Sequence, residues 1–159
     1  MDARPVLALL ARVLQEHRLE AVLIGNAAAA LQGAPVTTVD FDFFYRKTPA
    51  NQRKLKAIAK TLGAVLLKPY YPASDLIRLV RDEDSLQVDF MATIHGVTSL
   101  ASLRRRASRI DFDGYQLLVA DLADIVRSKR AAGRPRDRAV LEILERTLRE
   151  KKQIQAEKA

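Results

Sequence analysis

The chain contains no cysteine, which excludes disulfide bonds, zinc–thiolate sites and thiol nucleophiles outright. A reducing, cytoplasmic setting is the simplest one consistent with that absence. Histidine is almost as scarce: His17 and His95 lack the spacing of metal ligands, so both read as structural or exposed. No serine stands in a histidine–carboxylate pattern, which leaves triad hydrolysis without support. Long hydrophobic runs are missing too. None approaches the ~18 residues of a membrane span, and no membrane partner is expected. The opening stretch "MDARPVLALLARVLQEHRLE" has an apolar centre, but Arg12 interrupts it. Val6, Leu7, Leu10, Val13 and Leu14 recur at helical spacing, the mark of an amphipathic helix rather than a leader. Internal repeats and low-complexity segments are also absent.

What is present is the make-up of a globular domain: 159 residues, 48% hydrophobic and 29% charged. The formal net charge of +8 favours anionic partners, among them nucleotides, nucleic acid or an acidic protein.

The pattern alternates between helix and strand. "AVLIG" reads as a buried strand ending at Gly25, and "NAAAALQG" as a brief helix with Asn26 as its cap and Gly33 as its stop. In "VTTVDFDFFYR", Val39, Phe41 and Phe43 fall on one face and Asp40 and Asp42 on the other. Thr48-Pro49 opens a helix that Gly63 ends, and "AVLLK" follows as a strand. "PYYPASD" is a loop in which Tyr70 and Tyr71 are candidates to stack on a base, although loop tyrosines more often pack on their own domain. "LIRLVR" and "LQVDFMA" form a hairpin around "DEDS". After the helix "TSLASLRRRA", "RIDF" and "YQLLV" flank Asp113-Gly114, a two-residue hairpin turn. The remainder is a helical pair broken at "AAGRP", with a polar tail expected to fray. The predicted fold is α+β: a mixed β-sheet flanked by helices, with a C-terminal helical pair. It forms a single domain, a core over residues 1–119 with the helical region 120–159 packed on it.

Aspartate is a poor strand former, so Asp40 and Asp42 on one strand face need an explanation. Asp89 lies on the polar face of "LQVDFMA". If the two strands are neighbours, three carboxylates converge and suit a hard cation such as Mg²⁺ or Mn²⁺. The alternative is three solvated aspartates on an exposed sheet face. The Gly25-Asn26 turn offers free backbone N–H groups suited to phosphate, or is a plain capping turn.

Together, "LIGNAAAALQGAPVTTVDFDFF" and the later "VDF" resemble the DNA polymerase β-like nucleotidyltransferase superfamily. There a Gly-Gly or Gly-Ser turn opens a short helix, a D-x-D or D-x-E strand follows, and a third carboxylate comes from a later strand. The segment "LVADLADIVRSKRAAGRPRDRAVLEIL" resembles small bacterial members related to nucleotidyltransferase toxins of toxin–antitoxin systems. Lys129, Arg134 and Asp137 fit their K-x(4)-R-x-x-D pattern. The resemblance implies transfer of a nucleoside monophosphate from a nucleoside triphosphate (NTP) to a hydroxyl acceptor, using two divalent metal ions. Asp40, Asp42 and Asp89 would be the catalytic metal ligands. Gly25, Asn26, Thr38, Lys129, Arg134 and Asp137 would serve the nucleotide. The acceptor would be an RNA or tRNA end, a protein or a small molecule, and a cognate antitoxin is an implied partner. Two positions depart from the pattern: Asn26 replaces the second small residue of the turn, and Val36 stands where many relatives carry arginine. A noncatalytic protein that keeps the fold to bind nucleotide, RNA or a partner is the alternative reading. The basic run Arg104 to Arg106, with Arg109, reads as an RNA-backbone contact or a solvated helix end, and Arg130 as a further phosphate contact or a solvated face.

Overall fold

The computed structural model describes residues 3–69 and 75–158. Tyr70, Tyr71 and most of their loop lie outside the described residues. The amphipathic stripe at the N-terminus forms α1 (Arg4–Glu16), which buries Leu7, Leu10, Ala11, Val13 and Leu14. Next come β1 (Ala21–Ile24), α2 (Gly25–Leu31) and β2 (Asp40–Tyr45). Helix α3 (Pro49–Leu62) starts as its sequence predicts: the Thr48 hydroxyl accepts from the Asn51 N–H at 3.1 Å, and Gly63 ends it in the left-handed region. Then β3 (Val65–Leu67) and β4 (Ile77–Arg81) lead through one 3₁₀ turn (Asp82–Asp84) into β5 (Leu86–Met91). Helix α4 (Leu100–Arg106) precedes the hairpin of β6 (Ser108–Phe112) and β7 (Tyr115–Val119), and α5 (Leu122–Ala132) and α6 (Pro135–Lys158) complete the order. Asp113 and Gly114 both have positive φ, 54° and 90°, the geometry a two-residue hairpin turn demands.

The described strands make one seven-stranded sheet in the order β3-β4-β5-β2-β1-β7-β6. It is mixed: β2 runs parallel to β5 and β1 parallel to β7, while the other neighbours are antiparallel. This is the α+β arrangement the sequence predicts. Helix α1 packs on β6, β7 and α3, whereas α2 packs on β1, β2 and α5. Phe43 stacks on Phe90 with ring centroids 5.3 Å apart, locking β2 to β5 from the buried face. Among the described residues no helix is long and apolar enough to cross a membrane.

Three local expectations are corrected. Val39 does not share the buried face of Phe41 and Phe43: it lies in a bend before β2 and is 81% exposed. The Thr38 hydroxyl donates to the Asp40 carbonyl at 2.5 Å across this bend, so the strand starts one residue late. Asn26 does not cap α2, which begins at Gly25 with no side-chain cap. The tail does not fray, because α6 runs helical through Lys158. Its Glu, Lys, Gln and Ala residues are strong helix formers. The Lys151 ammonium also donates to Gln32 Oε1 at 2.8 Å. Gln32 is the clasp between core and C-terminal helices: its amide also donates to the Ala120 carbonyl at 2.8 Å and accepts from the Leu122 N–H at 2.9 Å.

Candidate active site

The site lies where β1 gives way to α2, beside the centre of β2. Antiparallel pairing sets Ile24 opposite Asp42, so the turn at Gly25 meets that carboxylate directly. Gly25 has φ +70°, and a Cβ built there would lie 2.8 Å from Asp42 Oδ2. Any other residue would collide with the carboxylate and strain the backbone. The close approach that requires glycine is therefore to Asp42.

Parallel pairing of β2 with β5 sets Asp42 opposite Asp89 and Asp40 opposite Gln87. Residues in register share a sheet face, so Asp40, Asp42 and Asp89 lie together on one face, with Phe41, Phe43 and Phe90 on the other. Asp42 is pushed up from 3.8 to about 6, by burial first and then by the charges of Asp89 and Asp40; Lys129 and Arg136 pull it partly back. Asp42 thus holds its charge at a cost, set by burial first and by its like-charged neighbours second.

Asp89 is the best-satisfied member. Arg78, opposite it on β4, donates from Nε to Oδ1 at 2.8 Å and from Nη2 to Oδ2 at 3.1 Å. The Gln87 amide adds a longer contact of 3.3 Å to Oδ2. Among the described residues, no group of three or more carboxylate and histidine side chains is gathered as a ready-made ion cage. The Arg78 fork meanwhile engages both oxygens of the Asp89 carboxylate.

The K-x(4)-R-x-x-D residues form a second cluster on α5 and α6. Asp137 is 2% exposed, and its Oδ2 accepts from Arg134 Nε at 2.5 Å and, more weakly, from the Arg134 N–H at 3.3 Å. That backbone contact makes Asp137 the acidic half of a capping box at the start of α6. Lys129 Nζ lies 3.7 Å from Asp137 Oδ1. Burial would raise the Asp137 pKa, but the Arg134 hydrogen bond and the charges of Arg134 and Lys129 outweigh it and hold it below the ordinary range. Burial pushes the Lys129 ammonium down, against the pull of Asp137 and Asp42. Lys129 therefore feels both carboxylate clusters.

Other sequence candidates are placed elsewhere. Arg130 is paired with Glu145 at 2.6 Å on the facing helix. In the run at 104 to 106, Arg104 reaches Glu20 at 3.5 Å, and Arg106 holds the buried Asp124 at 2.8 Å together with Arg127 at 3.1 Å. These contacts tie α4 to the residue before β1 and to α5, while Arg104, Arg105 and Arg106 all remain exposed. Val36 packs partly buried against the core. His17 is within 3.0 Å of the Thr61 hydroxyl, a structural contact. The Asn26 Oδ1 is buried without a hydrogen-bond partner among the described residues.

Sequence reasoning missed Arg78 and Arg136. Arg78 was within reach: a hairpin closing on "DEDS" pairs Arg81 with Leu86 and, counting back, Arg78 with Asp89. Arg136 had no such signal, because its influence on Asp42 depends on how α6 docks.

Residues 3–159 match the family described as nucleotidyl transferase of unknown function (DUF2204). No curated protein matches the chain in sequence. Among solved structures, a Thermotoga maritima protein described as a nucleotidyltransferase superposes with a TM-score of 0.62 at 18% identity, covering 92% of each chain. The lincomycin-bound lincosamide antibiotic adenylyltransferase LnuA gives 0.62 at 9% identity over 91% of this chain and 96% of that one. ANT(2")-Ia in complex with adenylyl-2"-tobramycin gives 0.57 at 12% identity over 97% of both. At such identities the likeness is one of fold. The family match spans the carboxylate strands and the C-terminal helices alike, so the chain belongs to this nucleotidyl transferase family.

Proposed function

We propose that the chain transfers a nucleoside monophosphate from an NTP to a hydroxyl acceptor at the Asp40–Asp42–Asp89 face. The observation that carries this reading is Asp42: a carboxylate set against Gly25, flanked by two others and under-neutralised. Such an arrangement is unfavourable in a structural role and suited to a cation. Asp40 and Asp42 fit a divalent ion, Mg²⁺ or Mn²⁺, through oxygens on one rigid strand. Asp89 adjoins them, with its fork to Arg78 to be reckoned with. When bound, the ion would supply charge stabilisation to the phosphoryl oxygens.

In the proposed reaction the acceptor oxygen bonds to the α-phosphorus, the bond from that phosphorus to the bridging oxygen breaks, and pyrophosphate leaves. Asp89 would orient the acceptor hydroxyl and take up its proton. The first-turn N–H groups at Gly25 and Asn26, free of any side-chain cap, would receive phosphate oxygens. Lys129, partly desolvated between Asp42 and Asp137, would neutralise the triphosphate as a point charge. Asp137 and Arg134 would hold Lys129 in place, and Thr38 would shape the turn into β2.

The acceptor class follows from charge. Arg104 and Arg106 are paired with Glu20 and Asp124, which lessens the charge that this run offers to an RNA or tRNA end. The antibiotic complexes of LnuA and ANT(2")-Ia favour a small-molecule hydroxyl. A toxin-like role with a cognate antitoxin, and a cytoplasmic location, rest on the sequence resemblance and the cysteine-free composition. One observation favours a noncatalytic nucleotide-binding protein instead: Val36 offers no charge where relatives use arginine, and packs inward.

Calorimetric titration of the four NTPs with Mg²⁺, followed by incubation of the labelled NTP with RNA, protein and small-molecule pools, tests the proposal. Binding plus a labelled product supports transfer. Binding without any product favours the noncatalytic reading, and no binding removes both.

A further inference from the structure

The side chain that sets this cluster apart is a cation from the chain itself. Arg78 presents a planar fork to both oxygens of Asp89, at 2.8 and 3.1 Å, from the neighbouring strand. A guanidinium remains charged at any working pH and matches a carboxylate edge in two-point geometry. Its partner is almost fully buried, with a side chain 9% exposed, whereas the Arg78 side chain remains 32% exposed. Removing the fork would leave a buried carboxylate beside Asp42 with no counter-charge. No comparable partner exists for Asp40 or Asp42: among the described residues, neither carboxylate forms an ion pair within 4.0 Å.

We propose that Arg78 is a positioning residue that competes with a divalent ion for Asp89, so that the nucleotide-free protein takes its ion through Asp40 and Asp42, and Asp89 joins only when Arg78 lets go. This rests on the proposed cation-binding role of the cluster and adds an order of events to it. Charge explains the order. Asp89 and Arg78 already neutralise each other, so an ion drawn to Asp89 must break two charge-assisted hydrogen bonds. An ion drawn to Asp40 and Asp42 breaks none that involves their carboxylates. Binding a triphosphate changes the balance, because its oxygens offer Arg78 a new anionic partner.

The test is calorimetric titration of Mn²⁺ alone into the full chain, without nucleotide. Asp42→Asn is expected to lose Mn²⁺ binding, and Asp89→Asn to keep affinity within about twofold of wild type. Arg78→Gln is expected to bind Mn²⁺ at least tenfold more tightly, as Asp89 becomes available. In that background Asp89→Asn should cancel the gain, a coupling that loss of a nearby positive charge alone would not produce. Arg78→Lys keeps the charge but not the fork, and should fall between the two; it also serves if Arg78→Gln is poorly folded. If Asp89→Asn in the wild-type background weakens binding as much as Asp42→Asn, Asp89 is a resident ligand and the inference is wrong. Retained binding in Asp42→Asn would instead remove the reading of the cluster itself, and this inference with it.

Discussion

Asp42 and Asp137 are both withdrawn from solvent, yet their pKa values move in opposite directions. Asp137 sits between Arg134 and Lys129 and is held below the ordinary carboxylate range. Asp42 is pushed up to about 6 by burial first and then by the like charges of Asp89 and Asp40. The first is a carboxylate whose burial is balanced by the chain that surrounds it, so it reads as structure. The second is balanced only in part, and the deficit marks where something from outside is expected. The proposed nucleotidyl transfer is placed at the Asp40–Asp42–Asp89 face for that reason, with Asp137 proposed to hold Lys129 towards it.

The largest expected effect is on the under-neutralised side. Asp42→Asn should lower transfer at least roughly a hundredfold, beyond what loss of a mere supporting group around a metal costs. It should leave the fold intact and raise the Tm of the metal-free protein, because a repulsive charge is gone. Asp137→Asn should do the reverse. Breaking a buried pair costs about 3 kcal/mol here, the low end of the usual range because Arg134 remains half exposed. Chemical denaturation measures that loss, and equal stability losses in the two variants would erase the contrast.

A smaller effect concerns the phosphate side. Val36→Arg should tighten NTP binding by roughly tenfold if a charge-assisted contact of about 1.5–3 kcal/mol is only partly realised. Lys129→Ala should weaken it by a similar factor. Lys151→Ala should leave binding unchanged but loosen α6, since Lys151 is bonded to Gln32 rather than free. Calorimetry and thermal melts separate these outcomes.

The smallest effect is a pH dependence. The folded protein holds the Asp42 proton more tightly than the unfolded chain does. This group's contribution is therefore fully present below about pH 3.8 and is lost as pH rises through about 6. At about 1.4 kcal/mol per unit the ceiling is about 3 kcal/mol. Partial exposure brings the expected loss to about 1–2 kcal/mol. Subtracting the Asp42→Asn stability profile from that of wild type isolates the slope, and saturating Mn²⁺ should reverse its sign.

Much of this contrast was legible in the sequence because it rests on local rules. Period-two alternation put Asp40 and Asp42 on one face, the "DEDS" hairpin put Asp89 on its own polar face, and Thr48, Gly63 and Asp113-Gly114 carried their helix and turn geometry with them. The α+β class and the C-terminal helical pair followed from the same patterns. What stayed hidden depends on pairing between distant segments. Nothing in the sequence alone says that β2 lies parallel to β5 in the register that sets Asp42 beside Asp89. The docking of α5 and α6, which brings Lys129 and Arg136 respectively to bear on Asp42, is equally nonlocal. Val39 was misjudged because alternation continues through the bend that the Thr38 hydroxyl creates. The ion pairs of Arg104 and Arg106 stayed hidden because Glu20 and Asp124 are far away in the chain.

The most direct test of the central claim compares Asp42 and Asp137 with one probe. Mn²⁺ is titrated by calorimetry into wild type, Asp42→Asn and Asp137→Asn, each at a temperature where it is folded. The account predicts that Asp42→Asn abolishes the binding isotherm while Asp137→Asn retains it within a few-fold. Mn²⁺ binding that survives in Asp42→Asn, or that disappears equally in both variants, would contradict it.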